Sequence, residues 1–108
     1  MKKVLVIGNV FPEPTSSAAG TKMMQWLHLF KANDFQTVYA STSPQSEFSA
    51  DLTEFTTDTW LVEMNNSSFN EQLRTFQPDI VLYDRFMVEE QFSWRVRETV
   101  PSAIHLLE

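Results

Sequence analysis

The sequence predicts an open α/β three-layer sandwich: a five-stranded parallel sheet, order 3-2-1-4-5, with helices on both faces. Three observations lead there. Two runs, Val4-Leu5-Val6-Ile7 and Ile80-Val81-Leu82-Tyr83, are apolar without alternation, as strands covered on both faces are. Strand and helix patterns then alternate along the chain, which calls for right-handed crossovers between parallel strands. Finally, the first run leads through Gly8 and a loop of turn formers into a helical pattern, the usual opening of a domain that binds ligands beyond the carboxyl ends of its strands.

In order, Val4 to Gly8 is strand one, and it and Ile80 to Tyr83 are expected to be the most buried strands. The loop from Asn9 through Pro12, Glu13, Pro14, Thr15, Ser16 and Ser17 is longer than the about 2–6 residues typical of a βα connection. A helix follows from about Gly20 to Ala32, with Met23, Leu27 and Phe30 on one stripe and Met24 and Trp26 widening it. Gln36 to Ser41 reads as strand two. Ser43-Pro44 signals a turn, and the spacing of Phe48, Leu52 and Phe55 predicts a short helix over 46–55. Trp60 to Met64 is strand three. Ser68 with Glu71 three residues on forms a capping box for a helix whose buried stripe is Phe69, Leu73 and Phe76. Pro78 stops it, and Ile80 to Tyr83 is strand four. The next helix, about Phe86 to Glu98, turns Val88, Phe92 and Val96 inward and Glu89, Glu90, Arg95 and Arg97 outward. Ala103 to Leu107 is strand five.

The 108 residues suffice for a single domain, 1–108. A net charge of −6, with only 8 scattered Lys and Arg, argues against nucleic acid or an anionic membrane as the main partner. The absence of cysteine removes disulfides, thiol catalysis and thiolate metal sites, and fits a reducing compartment. The apolar run after Met1-Lys2-Lys3 is too short for a signal peptide or a membrane span. The expectation is a soluble, cytoplasmic protein.

Several chemistries fail on residue type. Gly8 is followed by Asn9-Val10-Phe11, so the G-x-G-x-x-G of a dinucleotide site is missing. Gly20-Thr21-Lys22 scrambles the end of a P-loop, with Thr15 where its first glycine belongs. A phospho-accepting receiver domain needs an acidic pair closing strand one, where Gly8-Asn9 stands. His28 and His105 have no partners at metal-ligand spacing, and His105, inside an apolar strand, reads as structural. Two features remain. Ser16-Ser17-Ala18-Ala19-Gly20 would let a ligand approach the backbone at a helix start, whose amides attract anions. Asp84-Arg85 follows the central strand, where Arg85 would clamp an anion. The plainer readings are an N-cap for Asp84 and a surface ion pair for Arg85. The candidate ligand-binding residues are therefore Ser17, Ala18, Ala19, Gly20, Asp84 and Arg85.

Lys3-Val4-Leu5-Val6-Ile7-Gly8, Phe11-Pro12-Glu13-Pro14 and the small-residue run to Gly20 resemble the start of retaining, group-four glycosyltransferases of the GT-B fold. Phe76-Gln77-Pro78-Asp79-Ile80-Val81 resembles the segment those enzymes carry before their fourth strand. The resemblance implies the amino-terminal, mainly acceptor-binding, Rossmann-like half of an enzyme that moves a sugar from a nucleotide-sugar to a sugar or lipid acceptor. It implies no cofactor and no essential metal. The nucleotide-sugar would be held largely by a second domain bearing a glutamate pair. Glu89-Glu90, within a helix, is not that pair, and the family's paired glycines stand here as Ala18-Ala19-Gly20. Ending at Glu108 as strand five ends, the chain looks cut, so it is expected to be inactive alone and to self-associate weakly through exposed surface, as a homodimer. The alternative is a stand-alone α/β ligand-binding or interaction module without catalysis. The reading frame beyond Glu108 would separate the two.

Overall fold

A computed structural model describes residues 2–15 and 17–108. The elements run β1 (Lys3–Gly8), α1 (Ala18–Ala32), β2 (Gln36–Ser41), β3 (Asp58–Leu61), α2 (Ser68–Phe76), β4 (Ile80–Tyr83), α3 (Phe86–Thr99) and β5 (Ile104–Leu107). The five strands form one sheet, β3-β2-β1-β4-β5, and every pairing is parallel. This is the Rossmann-like α/β architecture expected from the alternation of patterns.

Successive side chains of each central strand enter different cores. Leu5, Ile7, Val38, Ala40, Val81 and Tyr83 pack with Phe69 and Leu73 of α2 and Val88, Phe92 and Val96 of α3. Val4, Val6, Tyr39 and Leu82 pack on the other face with Met23, Leu27 and Phe30 of α1. Burial on both faces explains the unbroken apolar runs of β1 and β4. It extends equally to β2, where only Gln36 is incompletely buried. The strand has the expected bounds, but Thr37 and Ser41 hid the depth of its burial, because their small side chains are buried despite their polarity.

Four expectations are corrected. Residues 46–55 form turns, not a helix, because side chains take the backbone's partners. Ser46 Oγ accepts from the Phe48 amide at 3.1 Å and Asp51 Oδ1 from the Thr53 amide at 3.0 Å. The apolar spacing still serves the core, since Leu52 is buried and Phe55 packs beside it. β3 runs Asp58–Leu61, starting two residues early and stopping short of Met64, because pairing with β2 sets its register: the Thr57 amide already donates to Thr37 O at 2.9 Å, and Leu61 pairs with Ser41 at the end of β2. The capping box does not form. Ser67 holds the N-cap position without a side-chain cap bond, Asn66 Oδ1 takes the Ser68 amide at 2.9 Å, and Glu71 pairs with Arg74. Arg95 is buried, not outward, bonding Asn70 Oδ1 of α2 through Nη1 at 3.3 Å; its long aliphatic stem makes this possible. Among the described residues no helix is long and apolar enough to cross a membrane.

Candidate functional site

In an open α/β sheet the ligand crevice lies beyond the carboxyl ends of the strands where the chain's winding reverses. Here that is between β1, whose connection leads to β2, and β4, whose connection leads away to β5. Gly8 ends β1 beneath the Tyr39 ring: a Cβ on Gly8 would lie 2.6 Å from the Tyr39 hydroxyl. That hydroxyl donates to Val10 O at 2.9 Å, and Phe11 tilts against the ring at 5.4 Å. The start of the loop is thereby tied to β2.

The rest of the loop folds back on the start of α1. Ser17 is the N-cap, with extended backbone, and its Oγ accepts from the Gly20 amide at 3.0 Å. The Ser17 amide donates to Glu13 O at 3.0 Å, and Thr21 Oγ1 donates to Pro14 O at 3.1 Å. Gly20 is buried, and a Cβ there would sit 2.6–2.7 Å from the backbone of Glu13. The small size of Gly20 thus accommodates the loop's own chain, and its amide is taken by Ser17. Ala18 is exposed and Ala19 half-buried, in the helix's first turn, whose amides lack intrahelical acceptors. Ser16 lies outside the described residues.

At the end of β4, the Asp84 amide donates to Ile7 O at 2.9 Å, which holds Asp84 beside β1. Asp84 is not the N-cap of α3; Arg85 occupies that position, with φ 81° and ψ 154° and no side-chain cap bond. This backbone region is open almost only to glycine, and such strain collects at functional sites. Arg85 is exposed and has no ion pair among the described residues, so the surface-pair reading is not what the fold contains. Burial, with the charge of Glu108 adding to it, raises the Asp84 pKa above the ordinary carboxylate value against the opposing pull of Arg85. Burial also raises the Tyr39 pKa, and the Asp84 charge adds to that shift, so Asp84 is felt across β1. The fold brings Asp84, with Arg85 next to it, beside the end of β1. No hydrogen bond or ion pair joins them to Ser17–Gly20 among the described residues.

Glu108 was not legible as a member of this edge. Its amide donates to Tyr83 O at 3.0 Å. Its carboxylate meets Lys22 Nζ at 3.0 Å and accepts from the Trp26 indole N–H, and the Lys22 bond holds its pKa below the usual value. Lys22 and Trp26 lie four apart on one flank of α1, but nothing local links them to a residue 82 positions away. The histidines are structural: His28 packs edge-on against Phe55, and His105 stacks on Tyr83, Nδ1 to hydroxyl 2.8 Å. Among the described residues no three His, Asp or Glu side chains are grouped to hold a metal.

Three concavities stand out: one of about 630 Å3 where Trp60 and Phe76 meet, one of about 580 Å3 along the β2–β3 connection, and one of about 170 Å3 beside Lys22, Trp26 and Leu29. None of the three is lined by Ser17, Ala18, Ala19, Gly20, Asp84 or Arg85. No known protein-family model matches the chain, and no curated protein matches it.

Proposed function

We propose that the chain is the acceptor-side domain of a GT-B-like glycosyltransferase. It would act with a donor-binding domain to transfer a sugar from a nucleotide-sugar to a sugar or lipid acceptor. One observation supports this most: a half-buried carboxylate, Asp84, and a strained cationic residue, Arg85, stand at the end of β4 beside the end of β1. A carboxylate there accepts hydrogen bonds from acceptor hydroxyls. A guanidinium there meets the negative charge of a diphosphate, as do amides at a helix start such as those of Ala18 and Ala19. Transfer needs donor and acceptor held together, so such a site would be completed by a second body.

The engaged amide and filled cradle of Gly20 favour a second reading, an α/β ligand-binding or interaction module without catalysis. A titration with uridine diphosphate, followed by the amide resonances, tests the first. The first reading expects shifts at Ala18, Ala19 and Arg85 with a millimolar Kd, about −4 kcal/mol. It also expects weakening as salt rises, loss in Arg85→Ala, and no sugar transfer by residues 1–108 alone. Unmoved resonances at those residues refute it, as would turnover of a nucleotide-sugar by the isolated chain.

A further inference from the structure

The largest of the three concavities lies at the opposite end of the sheet, where β2 and β3 begin and the last turn of α2 ends. Its volume, about 630 Å3, is within the range of about 300–1,000 Å3 for small-molecule sites. The floor is aromatic. Trp60 and Phe76 are both half-buried and meet edge to face, centroids 5.8 Å apart, with Val38 beneath. The rim is polar and mostly uncharged: Gln36, Thr57, Gln72 and Thr75. Each carries both a donor and an acceptor.

The charged groups nearby are already engaged or balanced. Asp58 accepts from the Trp60 indole N–H at 3.2 Å and from the Thr59 amide at 2.9 Å. Glu71 is paired with Arg74. Lys3 lies with its Nζ 5.8 Å from the Phe76 ring centroid, and its charge is opposite in sign to that of Asp58 in the same lining. With one ammonium, one carboxylate and a carboxylate already paired outside it, the lining carries little net charge and favours neither an anion nor a cation. The cleft instead matches a neutral molecule with an apolar face to lie on the rings and a rim of groups that both donate and accept. A sugar ring has that construction: its C–H bonds make an apolar face and its hydroxyls a polar edge. Gln36 Nε2 and Thr57 Oγ1 are 3.5 Å apart, a weak contact that a ligand hydroxyl replaces at little cost.

We infer that this cleft is a binding site for a neutral sugar, separate from the carboxyl edge and independent of the function proposed for it. The test is a heteronuclear NMR titration of the 108-residue chain with a panel of neutral sugars: glucose, galactose, mannose, N-acetylglucosamine, maltose and cellobiose. Each is taken to about 20 mM, some twentyfold above a millimolar Kd, with adenosine as a flat, neutral comparison. At least one sugar is expected to shift the Trp60 indole N–H and the side-chain amides of Gln36 and Gln72. Trp60→Ala should abolish the response. Gln72→Ala, on the helix surface, should weaken it at least fivefold with the remaining spectrum unchanged, which keeps the test decisive if the Trp60 variant fails to fold. The inference is overturned if no sugar moves these resonances, if Gln72→Ala leaves the affinity unaltered, or if adenosine moves them and no sugar does.

Discussion

Arg85 and Gly20 carry opposite demands on their backbones. At φ 81° and ψ 154° Arg85 holds a conformation suited to glycine, a cost of about 1–3 kcal/mol. Arg85→Gly is therefore expected to stabilise the fold by about 1 kcal/mol in urea denaturation, while removing the guanidinium from the carboxyl edge; an unchanged or lowered midpoint would mean that the strain is absent. Gly20 works the other way. In an ordinary helix interior Gly→Ala stabilises by about 0.5–1 kcal/mol. Here the new Cβ would lie 2.6–2.7 Å from three backbone atoms of Glu13, and backbone cannot rotate away as a side chain does. Gly20→Ala is expected to destabilise by about 1–2 kcal/mol, again read from the urea midpoint. A gain in stability would show that the loop yields freely. Both positions were singled out from the sequence, but the sequence held no sign of which neighbour would fill the space above Gly20.

At the scale of elements, the two edge strands differ from the three central ones. Each presents only its middle residues to the cores. On β5 the contact that matters is His105 against Tyr83 of β4. Partial burial, together with the Arg97 guanidinium, lowers the His105 pKa below the ordinary imidazole value. The unfolded chain, with a histidine pKa near about 6.5, then takes up a proton before the folded chain does. This contribution to stability is present above about pH 6.5 and is lost as pH falls below it. Stability compared at pH 7.5 and pH 5.5 is expected to drop more in the native chain than in His105→Gln, which keeps an acceptor for Tyr83 but does not titrate. Equal drops in the two would refute the assignment. The β2–β3 connection shows the limit of periodicity at this scale. Phe48, Leu52 and Phe55 have helical spacing, yet the Ser46 and Asp51 side chains accept from the Phe48 and Thr53 amides and leave turns. Only Leu52 of the three is fully buried.

For the whole molecule, a Cα radius of gyration of 12.7 Å agrees with the about 13 Å of a compact domain this size. Compactness leaves both sheet edges open. Ile104 and Leu107 on β5 are 58% and 52% exposed, and Leu61 on β3 is 61% exposed. Neither strand bears lysine or proline, the residues that usually blunt such edges. A net charge of −6 opposes association. Weak self-association is therefore expected to strengthen as salt screens that repulsion. Sedimentation velocity at low and high salt checks this, and a monomer at high salt and high concentration would exclude it.

The strand order, the all-parallel pairing and the inward faces of α1 and α3 were legible in the sequence. Each follows from a local pattern: an unbroken apolar run, a stripe at helical spacing, a turn former at a boundary. Those patterns record burial on one face or two, and burial is what the sheet enforces. Contacts between distant residues leave no such trace. The register of β3 waited on Thr37, the cap of α2 went to Asn66, and Arg95 found Asn70 across two helices. Glu108 reached Lys22 and Trp26 from the far end of the chain. Asp84 and Arg85 were visible as residue types that bind ligands. Their strain, their burial and their place beside β1 were decided by the tertiary structure, because only pairing of β4 with β1 brings the two ends of the crevice together.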